Sequence, residues 1–167
     1  MENNRTSQLG DQASGQAPSG TNPPHRILVV DGDTAIRQLS TAVLIQSGYE
    51  VDTVDDGADA WQALNNDRFD LLITDHNLPE LTGVGLLKKL RAARMDLPVI
   101  MATETLPKEE FNRYPWLQPA ATLPKPYTVA ELVGTVKKVL RAIEDDREQI
   151  APPSSWRNQP SPRRLWV

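Results

Sequence analysis

The sequence predicts an α/β fold: a (βα)5 repeat forming a doubly wound, five-stranded parallel sheet. Three observations lead there. Short apolar runs rich in β-branched residues recur through the middle of the chain. Each is followed by a stretch whose apolar residues return at helical spacing. The strand runs are continuous, not alternating, as expected where both faces of a sheet are covered. Right-handed crossovers between successive strands then place helices on both faces.

The first strand is Ile27 to Val30, entered from Pro-Pro-His-Arg. Asp33 or Thr34 can cap the helix that follows, Ile36, Leu39 and Val43 mark its apolar face, and Gly48 is placed to end it. Val51 to Val54 is the second strand, and Ala58, Trp61 and Leu64 mark one face of the second helix. Leu71 to Ile73 is the third strand, running into Asp75, and Leu86, Leu87 and Leu90 mark the third helix. Pro98 opens a fourth strand over Val99 to Ala102. The fourth helix starts near Pro107, a favourable first-turn residue, followed by Lys108, Glu109 and Glu110. Pro115 and Pro119 cut it short, because each lacks an amide hydrogen and clashes with the preceding turn. Tyr114 to Pro119 is therefore expected to be irregular, with Trp116 placed in the core in preference to display to a partner. Ala121 to Leu123 is the fifth strand. The last helix has the longest pattern, through Val129, Leu132, Val133, Val136, Val139, Leu140 and Ile143.

Composition sets the boundaries and excludes several classes of function. The 167 residues carry a net charge of -4 and no Cys, which rules out disulfide frameworks, zinc ribbons and thiol nucleophiles. His25 and His76 are too few for a His-rich metal site. Mild acidity supplies no global field for nucleic acid. Residues 1–25 have too few large apolar side chains to offset the entropy of ordering a backbone, roughly 1–2 kcal/mol per residue, and are expected to be a disordered tail. Residues 26–144 are a normal size for one packed core, without an internal repeat. Residues 145–167 read as a second tail, Pro-rich and basic through Arg157, Arg163 and Arg164, and containing Trp156, Leu165 and Trp166. Such a tail suits docking on an acidic protein surface or nucleic acid, folding back over the domain, or plain disorder. No segment has the apolar core of a signal peptide or the length of a membrane span, so a cytoplasmic chain is expected.

In an open parallel sheet, ligands sit beyond the carboxyl ends of the strands. Asp31, Asp75, Thr103 and Lys125 stand there, at the ends of four strands. Singly, each has a bland reading as a cap, a turn former or a solvated charge. Jointly, they bring two carboxylates, a hydroxyl and an ammonium to one rim. One carboxylate at such a rim can accept a phosphoryl group, a second can hold magnesium, and Lys and Thr can stabilise phosphoryl oxygens.

At these residues the sequence resembles the receiver domain of two-component response regulators, a flavodoxin-like, CheY-like fold. The matching stretches are ILVVDGD (Ile27 to Asp33), LLITDHNLPELTG (Leu71 to Gly83), PVIMATE (Pro98 to Glu104) and LPKPYT (Leu123 to Thr128). The spacing from Asp75 through Pro79 to Gly83, joined to a distant Lys-Pro, is a specific combination. The resemblance implies strand order 2-1-3-4-5, for which this fold is the standing example. It also implies that Asp75 is the phosphoacceptor, attacking the phosphohistidine of a partner kinase. Magnesium would be held by Asp31, Asp75 and the backbone carbonyl of Asn77. Thr103 would hydrogen-bond the phosphoryl group and Lys125 would pair with it, while Pro126 resembles a residue often preceded by a cis peptide. Catalysis would be confined to autocatalysed phosphorylation and dephosphorylation of Asp75, by positioning and charge neutralisation.

The implied partners are a sensor histidine kinase or phosphotransfer protein and a downstream protein target. No DNA-binding domain and no membrane attachment are expected, and the resemblance is compatible with a homodimer. His76 is expected as a solvated loop residue in preference to a phosphate contact.

The sequence departs from the family at three places. Gly32 stands where the family has a second acidic residue, ordinarily the direct magnesium ligand, and so removes a negative charge from the cation site. Asp33 can reach the ion, but its expected direction suits capping the first helix. Glu104 replaces a customary alanine, and either hinders phosphoryl access or points into solvent. Thr122 replaces a customary aromatic three residues before Lys125. Two readings follow. One is a phosphoaccepting switch, and the other is a degenerate receiver that binds partners without phosphorylation. A phosphoaspartate hydrolase on a similar sheet is disfavoured, because no lid closes the site.

Overall fold

The computed structural model describes residues 23–150. The expectations for 1–22 and 151–167 lie outside the described residues. Five parallel strands, β1 (Arg26–Val30), β2 (Glu50–Val54), β3 (Leu71–Thr74), β4 (Val99–Thr103) and β5 (Ala121–Pro124), form a sheet of order β2-β1-β3-β4-β5. The helices are α1 (Thr34–Gln46), α2 (Gly57–Asn66), α3 (Gly83–Ala92), α4 (Lys108–Arg113) and α5 (Val129–Ile150), with a short 3-10 turn at Pro115–Leu117. Among the described residues, no helix is long and apolar enough to cross a membrane.

Strand side chains alternate between two cores, as the period of two requires. Ile27, Val29, Leu71, Ile73 and Ile100 point to the side covered by α1 and α5, where Leu44, Leu132, Val136 and Leu140 meet them. Leu28, Val30, Leu72, Val99 and Met101 point to the other, against Ala60, Leu64, Leu86, Leu87 and Leu90 of α2 and α3. Each Leu or Ile fully buried in this way contributes roughly 1.5–3 kcal/mol. Asp33 caps α1, accepting from the amides of Ala35 at 2.8 Å and Ile36 at 3.1 Å. Gly48 follows the end of α1 at φ 92°, a conformation that Gly adopts without a Cβ penalty.

Four expectations are corrected. The buried face of α1 is Ser40 and Leu44, while Leu39 is 56 % exposed and Ile36 and Val43 are half-buried. A small polar residue holds the core position because the Ser40 hydroxyl lies 3.3 Å from the Tyr127 hydroxyl, which satisfies it. In α2 the buried residues are Gly57, Ala60 and Leu64, and Ala58 faces solvent. Gly57 turns inward because that helix start packs directly on the backbone of Leu81.

Trp116 is 59 % exposed instead of buried. In the tight 3-10 turn, Leu117 takes the core position, and the neighbouring side chain projects elsewhere. The boundary of the helical region also moves, because α5 continues through 145–150, to the last of the described residues. Glu144 to Gln149 contains no breaker and good helix formers, so the polar composition there reflects exposure and not the loss of the helix. At the other end, His25 is tied to the domain. Its carbonyl accepts from the Glu50 amide at 3.0 Å, and its ring lies 3.0 Å from Glu144.

Candidate functional site

The strand ends deliver the expected residues to one rim. Asp31 directly follows β1 and is 4 % exposed. One of its carboxylate oxygens accepts from the Asp33 amide at 2.9 Å. Asp75 directly follows β3, its amide donating to the Val30 carbonyl at 2.9 Å, and it accepts from the Asn77 amide at 3.2 Å. Thr103 ends β4, is buried, and donates its hydroxyl to the Thr105 carbonyl at 3.4 Å. Lys125 follows β5, its amide donating to the Thr103 carbonyl at 3.1 Å, and the Lys125–Pro126 peptide is cis.

Lys125 joins the site into one cluster. Its side chain is 7 % exposed, and Nζ lies 2.6 Å from an Asp31 oxygen and 2.9 Å from an Asp75 oxygen. Burial pushes the Asp75 carboxyl up, but hydrogen bonds from Lys125 and the Asn77 amide outweigh it. With the Lys125 charge they hold Asp75 below the usual carboxylate range. Lys125 is the mirror case. Burial pushes its ammonium down, and the bonds and charges of Asp31 and Asp75 carry it above its ordinary value.

The loop after Asp75 is held from below. The Gly83 amide donates to the His76 carbonyl at 3.0 Å, and a Cβ at Gly83 would sit 2.2 Å from the Asp75 carbonyl oxygen. The final Gly of the Asp75–Pro79–Gly83 spacing is thus required by a close approach of helix to loop. His76 departs from the solvated reading: it is half-buried, and its Nδ1 is buried with no hydrogen-bond partner among the described residues.

The three departures can also be placed. Gly32 is exposed, and a Cβ there would meet only the Asp55 carbonyl, at 3.8 Å. Asp33 is committed to the α1 amides, in keeping with the capping role. Glu104 is exposed and lines a groove of about 400 Å3 with Ile36, Leu39, Lys125, Pro126 and Tyr127. Thr122 is exposed on β5. A second acidic group, Asp55, Asp56 and Asp59, has ligand oxygens within 4.8 Å of one another. The run VDDGAD signals it, but Asp56 is there as the cap of α2, accepting from the Asp59 amide at 2.8 Å.

The donor set fits magnesium. Asp31 and Asp75 are hard oxygen donors of the kind this ion takes while keeping several waters; one oxygen of each is bound by Lys125, and Gly32 adds no third carboxylate. Chemically, the site offers an ionised carboxylate at a partly open rim, with fixed positive charge and a hydroxyl close by.

A family model described as the response regulator receiver domain matches residues 27–137. The response regulator MprA of Mycobacterium avium is 36% identical over 130 residues, covering 75% of this chain and 56% of the relative. The alkaline phosphatase synthesis transcriptional regulatory protein PhoP of Bacillus subtilis is 36% identical over 132 residues, covering 78% of this chain and 52% of its own length. The chain therefore spans about half the length of the curated relatives it matches. Among solved structures, the chemotaxis response regulator CheY4 of Vibrio cholerae superposes with a TM-score of 0.63 at 30% identity, covering 70% of this chain and 98% of that one. Fold, strand-end residues and family match agree: the chain belongs to the response regulator receiver domain family of two-component signalling.

Proposed function

We infer that this receiver domain takes a phosphoryl group on Asp75 from a sensor histidine kinase or phosphotransfer protein and signals through altered protein contacts. The observation that carries this reading is the buried Lys125 ammonium bridging Asp31 and Asp75. A carboxylate held ionised at neutral pH is a ready nucleophile. An oxygen of Asp75 forms the new bond to phosphorus as the P–N bond of the donor phosphohistidine breaks, and the departing imidazole keeps that electron pair. Lys125 and the Thr103 hydroxyl would neutralise and orient the phosphoryl oxygens. Asp31, Asp75 and the Asn77 carbonyl would hold magnesium, which supplies neutralisation of charge on the transferring group. The groove beside Lys125, with Leu39 and Ile36 exposed or half-exposed on α1, gives the phosphodonor an apolar surface next to the acceptor.

The test is incubation of the native chain and Asp75→Asn with magnesium and acetyl phosphate, read by intact mass and by beryllofluoride-induced NMR shifts. A single phosphoryl adduct on the native chain, absent in the variant, is expected. No adduct at saturating donor would move the assignment to a phosphorylation-independent binding module, the reading favoured by Gly32.

Gly32 makes a separate prediction. The site has one acidic group fewer than the family pattern it resembles, and nothing obstructs a side chain at that position. Gly32→Asp is expected to bind magnesium at least about tenfold more tightly, about 1.4 kcal/mol, in an NMR titration of the site amides. Equal affinities for the two chains would remove the role assigned to Gly32.

A further inference from the structure

The face of α5 beside β5 is apolar at Val139, Ala142 and Ile143, is interrupted by Asp146 and Arg147, and resumes only at Ile150. Val139, Ala142, Ile143 and Ile150 share one face at i, i+3, i+4 and i+11 spacing, and Ile150 is 83 % exposed. Between this face and the edge strand β5 lies a cavity of about 430 Å3, walled by Ala121, Thr122, Val139, Ala142 and Ile143, with Lys138 and Asp146 as its charged lining. The small side chains of Ala121, Thr122 and Ala142 leave this space open.

Residues 151–167, outside the described residues, follow Ile150 in the chain, and three features of their sequence fit this cavity. The first is reach. Trp156 is six residues beyond Ile150, enough chain to span up to ~20 Å. Ala142 lies eight helical residues back, only ~12 Å along the axis. Pro152 and Pro153 oppose continuation of the helix, which favours a change of direction there.

The second feature is charge. The segment contains Arg157, Arg163 and Arg164 and no acid, whereas Glu144, Asp145, Asp146 and Glu148 crowd the end of α5 against a single Arg147. Of these acids Asp146 lines the cavity, where it stands with Lys138. The third is shape and chemistry. An indole brings a large apolar surface with one N–H donor, and the cavity offers apolar walls with the Thr122 hydroxyl and the Asp146 carboxylate as acceptors.

We propose that Trp156, with Arg157 beside it, folds back from the end of α5 and docks in the α5–β5 cavity, so that the chain's own tail covers this face. The covered surface includes Thr122, three residues from Lys125. A protein partner that uses this face therefore competes with the tail.

The chain has no Cys, so Ser155→Cys creates a unique attachment point for a nitroxide spin label. In the full chain labelled with 15N, the amide signals of Thr122, Thr135, Ala142 and Ile143 are expected to be strongly attenuated. Those of α3, on the opposite face of the sheet, are expected to keep their intensity. Adding Trp156→Ala restores the lost signals, and Ala142→Glu, at an exposed position, does the same while the rest of the spectrum stays folded. The proposal is overturned by attenuation that is absent or equal on both faces, or that survives Trp156→Ala. It is also overturned if attenuation appears equally in an equimolar mixture of spin-labelled 14N chain and unlabelled-side-chain 15N chain, which would assign the face to a second copy.

Discussion

Lys125→Met is expected to destabilise the domain by about 3–5 kcal/mol at neutral pH, the usual loss when one partner of a buried ion pair is removed. Methionine retains much of the apolar stem and removes only the charge. The Asp31 and Asp75 side chains, both largely buried, would then face each other without the ammonium that separates them. The pH dependence changes with it. In the native chain the Asp75 carboxyl is lowered, so its contribution is present above its unfolded pKa and is lost as the pH falls through its folded value. Lys125 is raised, so its contribution is present below its unfolded pKa and is lost as the pH rises through its folded one. Between these limits the contribution of this pair is level.

In the variant, burial and the Asp31 charge act on Asp75 against the Asn77 amide alone, and its carboxyl is pushed up. Its protonated form is then preferred in the fold, and stability increases as the pH is lowered from neutral into the acid range. Urea denaturation followed by circular dichroism at two pH values checks this. A variant as stable as the native chain, or equally destabilised at both pH values, would contradict the account.

Gly83→Ala should fail for a reason local propensity does not contain. In an open helix, Ala is favoured over Gly by roughly 0.5–1 kcal/mol. At the start of α3, however, the added methyl would lie 2.2 Å from the Asp75 carbonyl oxygen and 3.0 Å from the His76 Cα. Both obstacles are backbone, so the loop must move. The expected result is a net loss of about 1–3 kcal/mol or more, as for overpacking elsewhere, together with displacement of Asp75. Uptake of phosphoryl from acetyl phosphate should fall at least about tenfold, since small misplacements of a reacting group are costly. Gly134→Ala is the matched control. Nothing lies within 4 Å of a Cβ at that position in α5, so the same substitution should stabilise by roughly 0.5–1 kcal/mol. Thermal melts of the two variants should therefore shift in opposite directions.

Much of the candidate site was legible because the fold has one functional rim. Once Ile27 to Val30 and Leu71 to Ile73 read as parallel strands, Asp31 and Asp75 had to emerge at the same end, and Thr103 and Lys125 beside them. The capping role of Asp33 was legible for a related reason: its helix starts within two residues of it. Burial was less accessible. The apolar residues of α1 suggested Leu39 as core, but the helix turns Ser40 inward toward Tyr127, a partner 87 residues away. Trp116 looked like core on size alone, and the 3-10 turn assigned that place to Leu117. The polar end of α5 looked like a tail because composition was read where helix propensity applied.

The sequence by itself determined the order of elements, the parallel sheet, the family resemblance and the residues gathered at the strand ends. These rest on periodicity, turn chemistry and short motifs, which are properties of neighbouring residues. Only the tertiary structure decided that Lys125 spans both carboxylates, that Gly83 must have no side chain beneath Asp75, and that His76 is drawn inward. Those facts depend on distances between residues as much as 94 positions apart, which packing sets and no local pattern encodes.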